Sequence, residues 1–427
     1  MYISLRDRPP SARSRAGGAR VSSVVVLLGV VSLVTDISSE SVNAVLPLYL
    51  TAALGLSTLA YGFVDGLMQG ASALVRVAGG WAADRGDRPK WVAFAGYGLS
   101  ALTRGALLLA SGFGAVTALV AVDRIGKGIR TAPRDAMISA ASDPDQLGRA
   151  FGVHRTLDTV GAALGPLFAF VILWAIPNGY ATVFVMSLGF AVIGVAVLGL
   201  LVPDRRPRAE ATRAGATGVG AGPRPFSWRH LADPRLRRLL IVAGVLGLLT
   251  IGDGFLYLSL QKRDGFAAQW FPLLYVGTNV AYLALAVPIG RLADRVGRAR
   301  VLVLGHLALL AAYAFAAVSA GSAATTVATL LLLGVFYAAT DGVLAAVAGR
   351  LVDPSARASA IGTAQTVVAV ARMIASAGFG LLWFTMGRAS AMLAVAAVLA
   401  IAIPACLLAV RTLAGSERAG AASGGLG

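Results

Sequence analysis

The stretch GRLADRVGRAR, residues 290–300, sets Asp294 among Arg291, Arg295, Arg298 and Arg300 between two apolar runs. An earlier stretch, GGWAADRGDRPK at 79–90, has the same layout. Gly80 and Gly290, Asp84 and Asp294, Arg88 and Arg298, and Lys90 and Arg300 are each 210 positions apart. The same offset relates Asp143-Pro144 to Asp353-Pro354 and Gly152 to Gly362. A register held over so many matches argues that the chain is a duplicated unit, and not one irregular domain.

Composition says what that unit is made of. The 427 residues are 57% hydrophobic and only 13% charged, with a mean hydropathy of +0.77. A soluble domain carries roughly 25% charged residues. Apolar runs of about 20 residues recur along the chain, the length needed to cross a bilayer as helix. Twelve spans are expected, near 21–52, 57–80, 91–112, 114–140, 147–174 and 180–202, then 239–260, 267–289, 299–319, 325–350, 356–384 and 389–410. The fold class is therefore an all-α membrane protein. A tail at 1–20 precedes a six-helix bundle at 21–202, a linker at 203–238, a second bundle at 239–410 and a tail at 411–427. The basic start is read as leading into an uncleaved first span.

The net charge of +17 would suggest nucleic acid in a soluble protein. Here the basic residues fill alternate loops, while TAALGLS, SGFG, PNGY and SAGSAA carry no charge and only Lys262, Arg263 and Arg388 break the pattern. By the positive-inside rule both termini face the cytoplasm, in a multi-pass protein of the cytoplasmic membrane with no nucleic-acid partner. The segment 203–238 is rich in Gly, Ala, Pro and Arg and reads as a flexible linker. The lone cysteine, Cys406, excludes an intrachain disulfide, and no metal site or cofactor is expected.

Three further signals join the repeated loop. Arg124 and Gly128 fit R-x-x-x-G in span 4, and Gly152, Gly161, Gly165 and Pro166 fit G-x8-G-x3-G-P in span 5. The strings TDISSE and FGVHRTLDTVGAALGP add local detail. With these the chain resembles the major facilitator superfamily over about 21–410. Asp87 stands where that family's loop usually has glycine, Pro89 precedes Lys90, and Ala299 precedes Arg300. The resemblance implies two pseudo-symmetric six-helix bundles and secondary transport of a small molecule by alternating access. The span 5 pattern is associated with exporters that exchange substrate for protons, although Ala169-Phe170 replaces its usual final glycines. Gly80, Asp84, Arg88, Gly290, Asp294, Gly297 and Arg298 become gating-loop candidates. Close helix packing is expected at Gly152, Gly161, Gly165 and Pro166.

The stretch DRIGKGIRTAPRD, 123–135, holds six charges on one side of a helical wheel. Such a stripe suits a water-filled cavity. A charge at the bilayer centre costs at least about 2.5 kcal/mol, so Arg124 needs a partner or water. Partners are at hand in Asp36 and Glu40 of span 1 and in His154, Arg155 and Asp158 of span 5. Asp36, Glu40, Arg124, His154 and Asp158 are the proton-coupling candidates. Arg124, Lys127, Arg130, Arg155, Asp253 and Asp341 are the substrate-cavity candidates. Asp65, Arg76, Arg104 and Arg372 are further charges near the membrane, with Arg76 and Arg104 read as snorkelling.

Other classes fare worse. No G-x-x-x-x-G-K-[ST], H-E-x-x-H or G-x-S-x-G motif is present, and the longest loop is too short for a catalytic domain, so no enzyme is expected. The leading expectation is proton-coupled efflux by a functional monomer, with a small-molecule substrate, protons and lipid as partners. Import of an anionic metabolite or metal chelate is the alternative within transport, and a non-transporting sensor the alternative outside it.

Overall fold

A segment in a bilayer must satisfy its backbone hydrogen bonds internally, which dictates helix for runs as apolar as these. The computed structural model describes residues 21–143, 146–204, 233–318, 321–352 and 356–423, all of them helix or short connection. The tail at 1–20, most of the linker, Pro144 and Asp353-Pro354 lie outside the described residues, as do the side chains of 77–86, 358 and 412–423.

The first half holds α1 (Ser23–Leu48, continued by a π turn Tyr49–Ala53), α2 (Thr58–Gly86), α3 (Pro89–Leu107), α4 (Gly112–Ala140), α5 (Leu147–Ala175) and α6 (Tyr180–Leu201). The second holds α7 (Pro234–Leu248), α8 (Asp253–Asp264), α9 (Pro272–Val296), α10 (Arg298–Ala317), α11 (Ala323–Thr340), α12 (Val343–Arg350), α13 (Arg357–Met386) and α14 (Arg388–Ser423). With α7–α8 and α11–α12 each counted once, nine described segments are long and apolar enough to cross a membrane. The more polar α2, α3 and α4, of 29, 19 and 29 residues, complete the twelve.

The 210-residue offset holds for whole helices. Pro89–Leu107 shifted by 210 gives 299–317, against Arg298–Ala317 observed, and Leu147–Ala175 gives 357–385, against Arg357–Met386. Packing repeats too: α2 and α3 lie on α4 as α9 and α10 lie on α11, and α1 lies on α5 as α7 lies on α13. The turns after α2 and α9 also correspond. Asp87 has φ +48° and Gly297 has φ +111°. Asp87 thus fills a left-handed position usually left to glycine, which a short polar side chain tolerates.

Two features depart from the repeat. The span of α7 and α8 is broken at 249–252, and that of α11 and α12 at Asp341 and Gly342, whereas their counterparts α1 and α4 run through. Gly252 caps α8, and Gly342 has φ +76°. At the first break Tyr313 Oη accepts from Ile251 N–H (3.0 Å) and donates to the Leu249 carbonyl (2.9 Å), so the freed backbone is satisfied.

Span 7 also begins earlier than expected, at Pro234, inside the segment read as linker. Asp233 accepts from Arg235 N–H (2.7 Å) and proline occupies the first turn, which together start a helix. Leu236 and Leu239 are buried while Arg235 and Arg237 stay exposed, so this turn is amphipathic. At the other end, α14 runs to Ser423, beyond the 410 expected.

The halves meet through α2 on α13 and α5 on α9, two contacts related by the same pseudo-symmetry. The described chain starts and ends on one face, here the terminal face; α2 begins and α13 ends on the opposite, far face. A Cβ at Gly62 would come within 2.7 Å of the Ser376 carbonyl and 2.8 Å of Gly380 Cα. Gly66 and Gly70 back onto Met373 in the same way, so the backbones touch along this line. Phe170 of α5 and Trp270 before α9 add a ring contact of 5.4 Å.

Candidate functional site

Side chains three or four residues apart share one helix face. On α1 that face carries Ser32, Asp36, Glu40 and Asn43; on the antiparallel α4 it carries Arg134, Arg130, Lys127 and Arg124. The two faces pair as rungs. Arg124 donates to Asn43 Oδ1 (3.2 Å), Lys127 lies 3.8 Å from Glu40, Arg130 lies 4.0 Å from Asp36, and Arg134 donates to Ser32 Oγ (3.2 Å).

Flanking helices tie off the ladder. Asp123 holds both Arg104 of α3 and Arg124 at 3.0 Å. Arg130 lies over the Tyr97 ring at 4.3 Å. From α5, Asp158 lies 3.7 Å from Arg134 and 3.6 Å from Arg155 and faces Asp36, while His154 Nε2 and Ser32 Oγ share a hydrogen bond of 3.0 Å.

Spans 1, 4 and 5 therefore converge, but the charged stripe of α4 is divided: the Lys127, Arg134 and Asp135 side chains stay partly open at 34%, 15% and 43%, and the other three charges are closed off. Asp123, Arg124 and Arg130 are 4%, 6% and 4% exposed. Their charge is met by ion pairs because α3 closes over α4: a Cβ at Gly96 would lie 2.7 Å from the Gly126 carbonyl. Arg104 does not snorkel; it is 3% exposed and ends on Asp123. The Lys127, Glu40 and Arg155 side chains do reach open space, at 34%, 27% and 75% exposed.

On α5, a Cβ at Gly161 would overlap the Leu33 carbonyl, and one at Gly165 would come 2.8 Å from Glu40 Cβ. These glycines let α5 lie against the acidic face of α1, beside the buried Pro166. Gly152 is different: it is exposed, and a Cβ there meets nothing within 4 Å, so close packing does not require it. In the second repeated loop Arg298 binds Asp294 of its own turn at 2.7 Å, and Gly290 has open space around it. Arg88 is exposed, and the side chain of Asp84 and the surroundings of Gly80 lie outside the described residues.

The second half is built otherwise. Asp253, the counterpart of Asn43, accepts from Tyr337 Oη at 2.7 Å, and Tyr337, the counterpart of Lys127, accepts from Arg372 at 3.2 Å. Beside this triad is a cavity of about 250 Å³ lined by Thr250, His306, Tyr337, Asp341, Gln365 and Arg372, with Gln69 from α2. Asp341 lines this cavity, and Asp253 lies one layer behind it, on Tyr337. Thr250, His306, Gln365 and Gln69, which line this cavity, do not stand out in the sequence, where none belongs to a charge pair. The Thr-x-Gly-Asp and Thr-Asp-Gly strings at 250–253 and 340–342 are helix-breaking signals that could have pointed there.

The profile of the Major Facilitator Superfamily matches residues 28–278 and 265–425. The chain belongs to the Major Facilitator Superfamily. An uncharacterized MFS-type transporter of Methanocaldococcus jannaschii is 29% identical over 373 residues, covering 85% of this chain and 89% of that protein. An uncharacterized protein of Mycobacterium tuberculosis is 31% identical over 379 residues, covering 87% and 89%. Among solved structures, the nucleoside transporter NupG superposes with a TM-score of 0.75 at 16% identity, over 91% of this chain and 99% of that one. This superfamily member is a multi-pass membrane transporter and not an enzyme. The pseudo-symmetric contacts α2–α13 and α5–α9 are then the surfaces between the two bundles of a transporter.

Proposed function

We propose that this chain is a secondary transporter of the cytoplasmic membrane that exports a small molecule in exchange for protons by alternating access. It works as a monomer, since one chain carries both bundles. The observation that carries the proposal is the ladder between α1 and α4. It sets Asp36 and Glu40 of α1 against Arg130 and Lys127 of α4 at 4.0 and 3.8 Å, with Asp158 of α5 beside them, 3.7 Å from Arg134, which also holds Asp135 at 3.1 Å. A proton arriving on Asp36 cancels the charge that holds Arg130, and α1 is then free to shift against α4 as the bundles rock.

Support for export comes from the span 5 resemblance and from Gly161 and Gly165, which seat α5 directly against this acidic face. The repeat supports rocking about a shared axis. Basic loops on the terminal face support a cytoplasmic location of both termini. The buried α2–α13 contact supports a conformation closed on the far, outer face.

The experiment compares small molecules retained by intact cells with and without the chain, before and after a protonophore. Export requires a compound depleted by the chain and restored by the protonophore. A compound that instead accumulates through the chain would establish import.

A further inference from the structure

The cavity in the second half is bordered by both broken helices. Thr250 lies in the break between α7 and α8, and Asp341 and Gly342 form the break between α11 and α12. Discontinuous helices in transporters mark places where backbone and polar side chains turn toward a ligand. Neither break has a counterpart in the first half, so they are departures that the repeat itself does not require.

The polar groups on the wall are unequal. Arg372 is the cation; it donates to Tyr337 Oη at 3.2 Å, its Nε is buried without a partner, and it makes no ion pair among the described residues. Asp341 is the anion, exposed and likewise without an ion pair among the described residues. The two line one cavity and do not meet. The remaining wall is mostly apolar, with Gln69 and Gln365 able to donate or accept and with three acceptors among its other polar groups. Thr250 and Thr340 spend their hydroxyl protons on the Leu246 and Phe336 carbonyls, both at 2.8 Å, which leaves oxygen lone pairs. His306 Nδ1 lies 3.0 Å from the Leu302 carbonyl, which assigns the proton to Nδ1 and leaves Nε2 as an acceptor.

An anion alone would satisfy Arg372 and face Asp341 unfavourably. A cation alone would leave Arg372 with only Asp253, reached through Tyr337 and behind the wall. A carboxylate and an ammonium on one short molecule satisfy both. The volume, about 250 Å³, lies below the roughly 300–1,000 Å³ of sites for drug-sized ligands and suits a molecule of amino-acid size. Gln69 brings α2 of the other half to the same wall, so a ligand here touches both halves and can bias their rocking.

We propose that this cavity is the substrate site and takes a small zwitterion, with its carboxylate on Arg372 and its protonated amine toward Asp341 and His306. The proposal rests on the transport reading above and names its substrate class.

The test is calorimetric titration of the purified full chain in detergent, without any gradient. The probes are the common L-α-amino acids and, for each binder, the acid lacking the amine and the amine lacking the carboxylate. At least one amino acid should bind, with each half-analogue weaker by about tenfold or more. Arg372→Gln and Asp341→Asn should each weaken the same amino acid by a similar factor. The half-analogues act on the unaltered protein, so the test does not depend on how the variants fold. Absence of binding by every amino acid, or a half-analogue as tight as its parent, would overturn the proposal. Because no gradient is applied, that outcome leaves proton coupling standing; a zwitterion that binds but ignores an imposed gradient would instead refute the coupling.

Discussion

The Asp65 carboxylate of α2 accepts a hydrogen bond of 2.6 Å from Ser376 Oγ of α13, across the contact between the two halves. Tyr61 donates to its other oxygen at 3.3 Å. A Cβ at Gly252 would overlap this carboxylate, so Asp65 also sits against the N-terminus of α8, where negative charge is favoured. Asp65→Ala would leave two buried hydroxyls without their acceptor, at a cost of about 1–3 kcal/mol each. The loss falls on the closed far face, which should open more often. A cysteine at Thr58 in a Cys406→Ser background should then react faster with a membrane-impermeant maleimide when Asp65 is replaced. Equal rates would remove Asp65 from the closure.

Asp123 is shared by Arg104 and Arg124. Its removal strands two guanidinium groups that are 3% and 6% exposed. Breaking a buried pair from one side costs about 3–5 kcal/mol. Asp123→Asn should therefore lower thermal stability sharply, and adding Arg104→Met should recover part of the loss. A single variant as stable as the parent would show that the charges are solvated.

Gly96 and Gly126 face each other across α3 and α4, each Cβ meeting the other's carbonyl at 2.7 Å. Gly96→Ala forces the helices apart, a change worth about 1–3 kcal/mol. Gly152→Ala enters open space within a helix and should be neutral or stabilise by about 0.5–1 kcal/mol. Unfolding curves of the two variants should move in opposite directions or differ clearly in size.

Tyr313 is 0% exposed and closes the break between α7 and α8 with its hydroxyl. Tyr313→Phe leaves the Ile251 N–H and Leu249 carbonyl unserved, and about 1–3 kcal/mol of stability should go with them. Amide exchange at Ile251 is the direct readout, and it should quicken. An unchanged exchange rate would mean that another group satisfies this backbone.

The sequence made the bundle legible because its signals are local. Apolar runs, basic loops and the offset between Asp84 and Asp294 are each visible in one dimension. The pairing of α1 with α4 was partly legible, since Asp36 with Glu40 and Lys127 with Arg130 lie at helical spacing. Whether α4 faced water or protein was not, because that depends on α3 closing over it through Gly96 and on Arg104 reaching Asp123. The second-half cavity was hidden for a related reason. Its wall is mostly neutral, and Arg372 has no acidic partner at helical spacing to announce it. Gly152 matched a motif whose spacing is readable while its surroundings are not.

The most direct measurement uses proteoliposomes containing the purified chain and loaded with the low-molecular-mass fraction of a cell extract. A pH gradient is imposed, and mass spectrometry follows what crosses the membrane. At least one compound should move only when the gradient is present, and Asp36→Asn, in protein that unfolds at the parent's temperature, should abolish that movement. Flux that ignores the gradient, or that survives Asp36→Asn unchanged, would contradict a proton-driven ladder between α1 and α4.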